Sequence, residues 1–149
     1  MPDGGQSLLV FRRSPAGLAR KDLREFAGLL KDRVSGGRPF CCMITDDREL
    51  LRLNREFLGK DYPTDVLSFP SVEPDGILGE IAISIERAAA QASEFGHSVF
   101  DELRILMLHG LLHLTGMDHE RDRGAMARAE RRWRKEFSLP NGLIERARL

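Results

Sequence analysis

Apolar positions repeat along the chain with two different periods, and the switches between them mark the elements. Residues 17–34 place Leu23, Phe26, Leu30 and Val34 at three- and four-residue intervals, which predicts an amphipathic helix. Ser35-Gly36-Gly37 ends it, because glycine supports the left-handed backbone that closes helices. Ser7 to Phe11 and Pro39 to Thr45 read as short strands. Asp46, with Glu49 three residues on, opens a helix whose stripe is Leu50, Leu53 and Phe57. A Gly/Pro loop at 59–63 follows, then a strand over Thr64–Pro70, a turn at Glu73–Gly76, and an alternating strand over Ile77–Ser84. An alanine-rich helix fits 85–96 and stops at Gly96. Ser98 and Asp101 open another helix, running to about Leu114, and a last one fits 122–138 with Met126, Ala129, Trp133 and Phe137 on its apolar stripe. The expected class is α+β, an α/β sandwich with a four-stranded mixed sheet and about five helices.

Length changes the picture little. With 149 residues, and no repeat or linker to divide them, the chain reads as a single domain over 1–149. An apolar fraction of 42% and a charged fraction of 31% exclude a disordered chain or a disulfide scaffold. No run of 18 apolar residues exists to span a membrane. The start, Met1-Pro2-Asp3-Gly4-Gly5-Gln6, lacks the basic and apolar stretches of a secretory signal. Cys41 and Cys42 are adjacent and cannot staple distant segments, so a reducing, cytoplasmic setting is expected. They face opposite sides of a strand, one of them in the core.

Charge is balanced overall but not along the chain. Residues 1–119 hold 14 basic and 18 acidic side chains; residues 120–149 hold 9 and 5. The basic end, with Arg128, Arg131, Arg132, Arg134 and Lys135, offers some affinity for a polyanion, although such runs are more often solvated helix faces.

Chemistry concentrates in His109-Gly110-Leu111-Leu112-His113-Leu114-Thr115-Gly116-Met117-Asp118-His119. Residues four apart share a helix face, so His109 and His113 aim two imidazoles at one point. Gly116 permits a sharp turn, and His119 returns across it as a third ligand. Three imidazoles leave a zinc ion one open position, the arrangement of a catalytic site rather than a structural one. Asp118 either orients an imidazole or holds the turn. His97, beside the Ser98 cap, reads as a surface or capping residue. Thr64 and Ser68 either line the cleft or are ordinary half-buried strand residues. Trp133 belongs to the core stripe.

The histidine spacing equals that of metzincin proteases, whose first histidine is followed by the glutamate that serves as general base. Gly110 stands there instead, which counts against peptide hydrolysis. The whole segment resembles the H-G-x-L-H-L-x-G-x-D-H pattern of the YbeY family, metal-dependent endoribonucleases that mature ribosomal RNA in bacteria. Thr64-Asp65-Val66-Leu67-Ser68-Phe69-Pro70 is similar to that family's T-D-V-L-S-F-P strand, and Gly79 to Ser84 to its G-D-I-x-I-S segment, with Glu80 for Asp. The likeness runs from about residue 40 to 137.

The resemblance implies a fold with a zinc cleft on a metzincin-like metal helix, one Zn2+ per chain, and His109, His113 and His119 as ligands. It implies a single-strand-specific endoribonuclease acting at the 3′ end of small-subunit ribosomal RNA and in ribosome quality control. Ribosomal RNA, the small subunit and other ribosome-associated proteins are the implied partners. RNA also carries its own 2′-hydroxyl as a nucleophile, so a strong protein base is less necessary than in a protease. An arginine assigned to catalysis usually precedes the family's Gly-Lys-Asp loop; here Leu58 occupies that position, with Arg55 and Lys60 as the neighbouring cations. Two rival readings remain at this point: a metzincin-like metalloprotease, and a non-catalytic ribosome-assembly factor with structural zinc.

Overall fold

Alternation along the strands decides what each layer of the molecule contains. The computed structural model describes residues 8–72, 76–118 and 120–147. In chain order the elements are β1 (Leu9–Phe11), α1 (Arg20–Arg33), β2 (Cys41–Thr45), α2 (Asp47–Leu58), β3 (Val66–Pro70), β4 (Gly79–Ser84), α3 (Ile85–Phe95), α4 (Val99–Leu114), α5 (Ala125–Glu136) and α6 (Leu143–Ala147). The sheet has the order β1-β2-β4-β3. β2 runs parallel to β1 and β4, and β3 pairs antiparallel with β4.

Register aligns the buried side chains into rows. Leu9 pairs with Cys42, Cys42 with Ile81, and Ile44 with Ile83. These residues are buried in the main core. The intervening positions face the other side, where Leu67 and Ala82 pack under Leu50 of α2. Cys41 and Cys42 therefore do face opposite ways, with Cys42 buried.

α4 is apolar almost all round, and eleven of its sixteen residues are buried, so it runs through the interior rather than over the surface. Gly110 sets how near it lies to the sheet. A Cβ built there would stand 2.9 Å from Ile81 Cγ2 and 3.2 Å from Ser68 Oγ. On its other sides α4 meets α1, α3 and α5.

Capping agrees with the sequence at two helix starts and adds a third. Asp46 accepts from Glu49 N at 2.9 Å and Ser98 from Asp101 N at 3.0 Å. Ser84, the last residue of β4, accepts from Arg87 N at 3.2 Å and so turns the strand directly into α3.

Besides later starts for α1, β2 and α5, at Arg20, Cys41 and Ala125 instead of 17, 39 and 122, the elements differ from expectation as follows. The described helices number six, not about five, because α6 escaped the periodicity reading. β3 starts at Val66 instead of Thr64, since Asp65 Oδ1 accepts from Val66 N at 2.7 Å and makes a local turn first. β4 likewise begins at Gly79. Ser7, and residues 73–75 of the expected turn, lie outside the described residues.

α6 is pinned at both ends of its short length. Both terminal nitrogens of Arg146 donate to the Glu102 carboxylate in α4, one at 2.8 Å. Glu102 also meets His97 Nε2 at 2.6 Å and Gln91 Nε2 at 2.7 Å. His97 is thus not a surface residue: its side chain is 9% exposed and belongs to this buried polar cluster. Burial alone would raise the Glu102 pKa, but the hydrogen bonds from Arg146, His97 and Gln91 outweigh it and hold the carboxyl below its ordinary range.

Candidate metal centre

The last turns of α4 carry the first two histidines. Their spacing of four puts both rings on one face, with centroids 4.8 Å apart and planes at 75°. His109 is buried and His113 half-buried. Gly116, at φ +100, then reverses the chain, a conformation that side-chain-bearing residues avoid. Gly116 N donates to His113 O at 3.0 Å, and Met117 N donates to Leu112 O at 3.2 Å.

Each ring is oriented through its Nδ1. His109 Nδ1 lies 2.8 Å from Glu130 Oε2 on α5, and His113 Nδ1 lies 3.0 Å from the Met117 carbonyl. A carbonyl and a carboxylate only accept, so both Nδ1 atoms carry a hydrogen, and in the neutral ring Nε2 is left with the lone pair. That is the tautomer a metal-ligating histidine needs, and a carboxylate or backbone carbonyl is the partner that usually fixes it. The donor chemistry of His109 and His113 therefore fits a zinc-type ion. His119 lies outside the described residues, and among the described residues no three His, Cys, Asp or Glu side chains converge to hold a metal.

Both histidines line a cleft of about 570 Å³ with Leu58, Lys60, Thr64, Ser68 and Asp118. β3 supplies one wall, and Ser68 Oγ donates to the Gly110 carbonyl at 2.9 Å. Thr64 and Ser68 are thus cleft residues. Of the two cations near Leu58, Lys60 lines the cleft, while Arg55 pairs with Asp61 and lines a different hollow. Asp118 makes turn contacts: Oδ1 accepts from Glu120 N at 3.1 Å, and Oδ2 stands 3.8 Å from Arg121 Nε. Cys41 faces the opposite side of the sheet, where burial first, and Glu80 second, push its thiol pKa up.

Two participants were missed in the sequence. Glu130 is a carboxylate on the apolar stripe of α5, between Met126 and Trp133, and that position is a readable signal. Leu143 of α6 adds a wall to the cleft; nothing local announces it. The basic end also divides. Arg134 is held by Glu145 at 2.6 Å, and the Arg132 guanidinium lies 4.9 Å over the Trp133 ring.

Comparison with known proteins converges on one family. The family model described as Endoribonuclease YbeY matches residues 24–138. An "Endoribonuclease YbeY" of Solibacter usitatus (strain Ellin6076) is 57% identical over 145 residues, covering 97% of this chain and 96% of the relative. Another, from Koribacter versatilis (strain Ellin345), is 43% identical over 139 residues, covering 93% of this chain and 91% of the relative. The solution structure of TM1509 from Thermotoga maritima superposes with a TM-score of 0.57 at 28% identity, covering 84% of this chain and 85% of that one. With a family model spanning most of its length and a relative more than half identical from end to end, the chain belongs to the YbeY endoribonuclease family.

Proposed function

We propose that the whole chain is one catalytic domain that uses a zinc ion, held by His109, His113 and His119, to cut single-stranded RNA at the 3′ end of the small-subunit ribosomal RNA precursor. Family membership gives the reaction class, an endonucleolytic cut in RNA by a hydrolase. The observation that carries the metal reading is the pair of anchored imidazoles, His109 on Glu130 and His113 on the Met117 carbonyl, lining one cleft.

When bound, the ion supplies Lewis acidity toward a phosphoryl oxygen. The chain's own residues do the remainder. Glu130 and the Met117 carbonyl hold the two rings in one tautomer. Lys60 offers the cleft a positive charge for a phosphate in the region where Leu58 replaces the family arginine. Leu143, with the buried end of α4, gives the cleft an apolar side that limits water.

Gly110 speaks against the protease alternative, and neither that nor a purely structural role is favoured by the family. Its Cα hydrogen faces Ile81 and Ser68, so a glutamate there would enter the sheet packing rather than the cleft. The net charge of zero provides little long-range pull on a polyanion. Presentation on a ribosomal particle in the cytoplasm compensates for that weakness. No helix among the described residues is long and apolar enough to cross a membrane.

The test is cleavage of precursor RNA in small-subunit particles, compared with naked RNA, using metal-stripped protein and His113→Ala as controls. Faster cutting in particles, and none by either control, is expected. Equal cutting by metal-stripped protein refutes the metal reading.

A further inference from the structure

Beyond the metal turn lies a second concavity, of about 710 Å³, lined by Arg121, Arg123, Arg128 and Arg131 with Glu120, Gly124 and Ala127. Four guanidinium groups face one carboxylate, and no aromatic or large aliphatic side chain lines the walls. Two of the four make loose ion pairs: Arg121 to Asp118 and Arg131 to Glu145 both measure 3.8 Å. The two side chains are 87% and 47% exposed. By contrast, Arg134 makes a 2.6 Å pair with the same Glu145 and is mostly buried. Arg128 Nη1 donates to the Arg123 carbonyl at 3.3 Å, which keeps two members of the group together. Asp122, within the same stretch of chain, does not line the hollow; it accepts from Gly124 N and Met126 N at the start of α5.

This concavity adjoins the histidine cleft. Asp118 lines the cleft and pairs with Arg121, which lines the basic hollow. A strand seated at the histidines reaches the arginines across the Asp118–Arg121 pair.

We infer that the Arg121/Arg123/Arg128/Arg131 hollow is a subsite for the sugar-phosphate backbone of single-stranded RNA, holding phosphates of the strand that leaves the cleft. The inference rests on the proposed function for its substrate. Guanidinium forks bind phosphate oxygens bidentately, and walls without aromatic side chains offer bases no stacking surface. The hollow therefore grips the backbone and ignores sequence. It also relocates the RNA contact of the basic end from Arg132 and Arg134 to the start of α5.

The experiment measures binding of a labelled 16-nucleotide single-stranded RNA by fluorescence anisotropy across salt concentrations. It compares the wild-type chain, the triple variant Arg121→Gln/Arg123→Gln/Arg128→Gln, and a charge-matched control, Arg38→Gln/Arg132→Gln/Lys135→Gln. Each phosphate contact to a single strand contributes about −0.7 to the slope of log affinity against log salt. The triple variant should flatten the slope by about 1.4–2, and the control should leave it unchanged. An Arg→Lys triple variant at the same positions should retain most of the slope, which separates lost charge from lost folding. Equal slopes for wild type and the Gln triple variant, or equal flattening by the control, overturn the subsite. Inorganic phosphate added at constant ionic strength should leave RNA binding unchanged; effective competition would make the ligand a free anion and overturn the inference. Cleavage is read separately on the same RNA. Pocket-dependent binding without cleavage would sink the catalytic reading alone, and cleavage with an unchanged slope would sink the subsite alone.

Discussion

Glu130 ties His109 to the C-terminal helix: Oε2 lies 2.8 Å from His109 Nδ1, and Oε1 accepts from Ile144 N at 2.8 Å. The Glu130 side chain is 1% exposed, so water cannot replace either partner. The carboxylate fixes the ring on one side and the start of α6 on the other. Gly142 makes room for it, since a Cβ there would stand 2.4 Å from Glu130 Oε1.

Glu130→Gln tests that arrangement. An amide has one accepting oxygen, so one of the two buried donors, His109 Nδ1 or Ile144 N, would face an NH2 group. The expected loss is about 1–3 kcal/mol of stability in urea unfolding. Zinc affinity, measured against a competing chelator, should fall about 10–100-fold. Unchanged affinity would mean that Glu130 does not orient the ring.

Gly110 is expected to tolerate nothing larger. Gly110→Ala places a methyl 2.9 Å from Ile81 Cγ2 and should cost about 1–3 kcal/mol. Gly110→Glu adds a buried, unpaired carboxylate and should cost about 3–5 kcal/mol, without any casein cleavage. A stable Gly110→Glu protein with peptidase activity would show that the missing base was the only barrier to protease chemistry.

The Glu102–Arg146 pair sets an acid response. The folded pKa of Glu102 is held below the unfolded one, so its contribution is complete above about pH 4.3 and is lost as pH falls through the folded value. Arg146→Ala leaves the buried carboxylate without its strongest partner and should cost about 3–5 kcal/mol at pH 7. Its acid unfolding midpoint, followed by circular dichroism, should lie at higher pH than that of the wild type. Coincident midpoints would remove this pair from the acid response.

Lys60 is the cation that lines the cleft near Leu58. Lys60→Ala should lower kcat/KM for RNA by about 10–100-fold, the worth of one charge-assisted hydrogen bond. Bound zinc should remain unchanged. Equal loss from Arg55→Ala would instead point to a general charge effect, because Arg55 is paired with Asp61 outside the cleft.

Local rules reached most of the fold because most of its determinants are local. The strands follow alternation, and the Asp46 and Ser98 caps act within three residues of themselves. His109 and His113 needed only the helical repeat. What escaped depends on contacts distant in sequence. Arg146 meets Glu102 across 44 positions, and Glu130 meets His109 across 21. Neither pairing leaves a periodic trace. α6 has only five residues, too few to show a stripe, and tertiary contacts hold it. His97 read as a surface or capping residue because it lies just before the Ser98 cap, yet the buried Glu102 draws it inward. Arg134 looked available for phosphate until α6 supplied Glu145.

The most direct measurement is RNA cleavage by chelator-treated protein as zinc is titrated back, for wild type and His113→Ala in parallel. The expected wild-type result is no cleavage without metal, and a rise that saturates at one equivalent of zinc per chain. The variant should neither retain that equivalent nor recover activity. Full-rate cleavage by the metal-free wild type, or by His113→Ala carrying no zinc, would contradict the account.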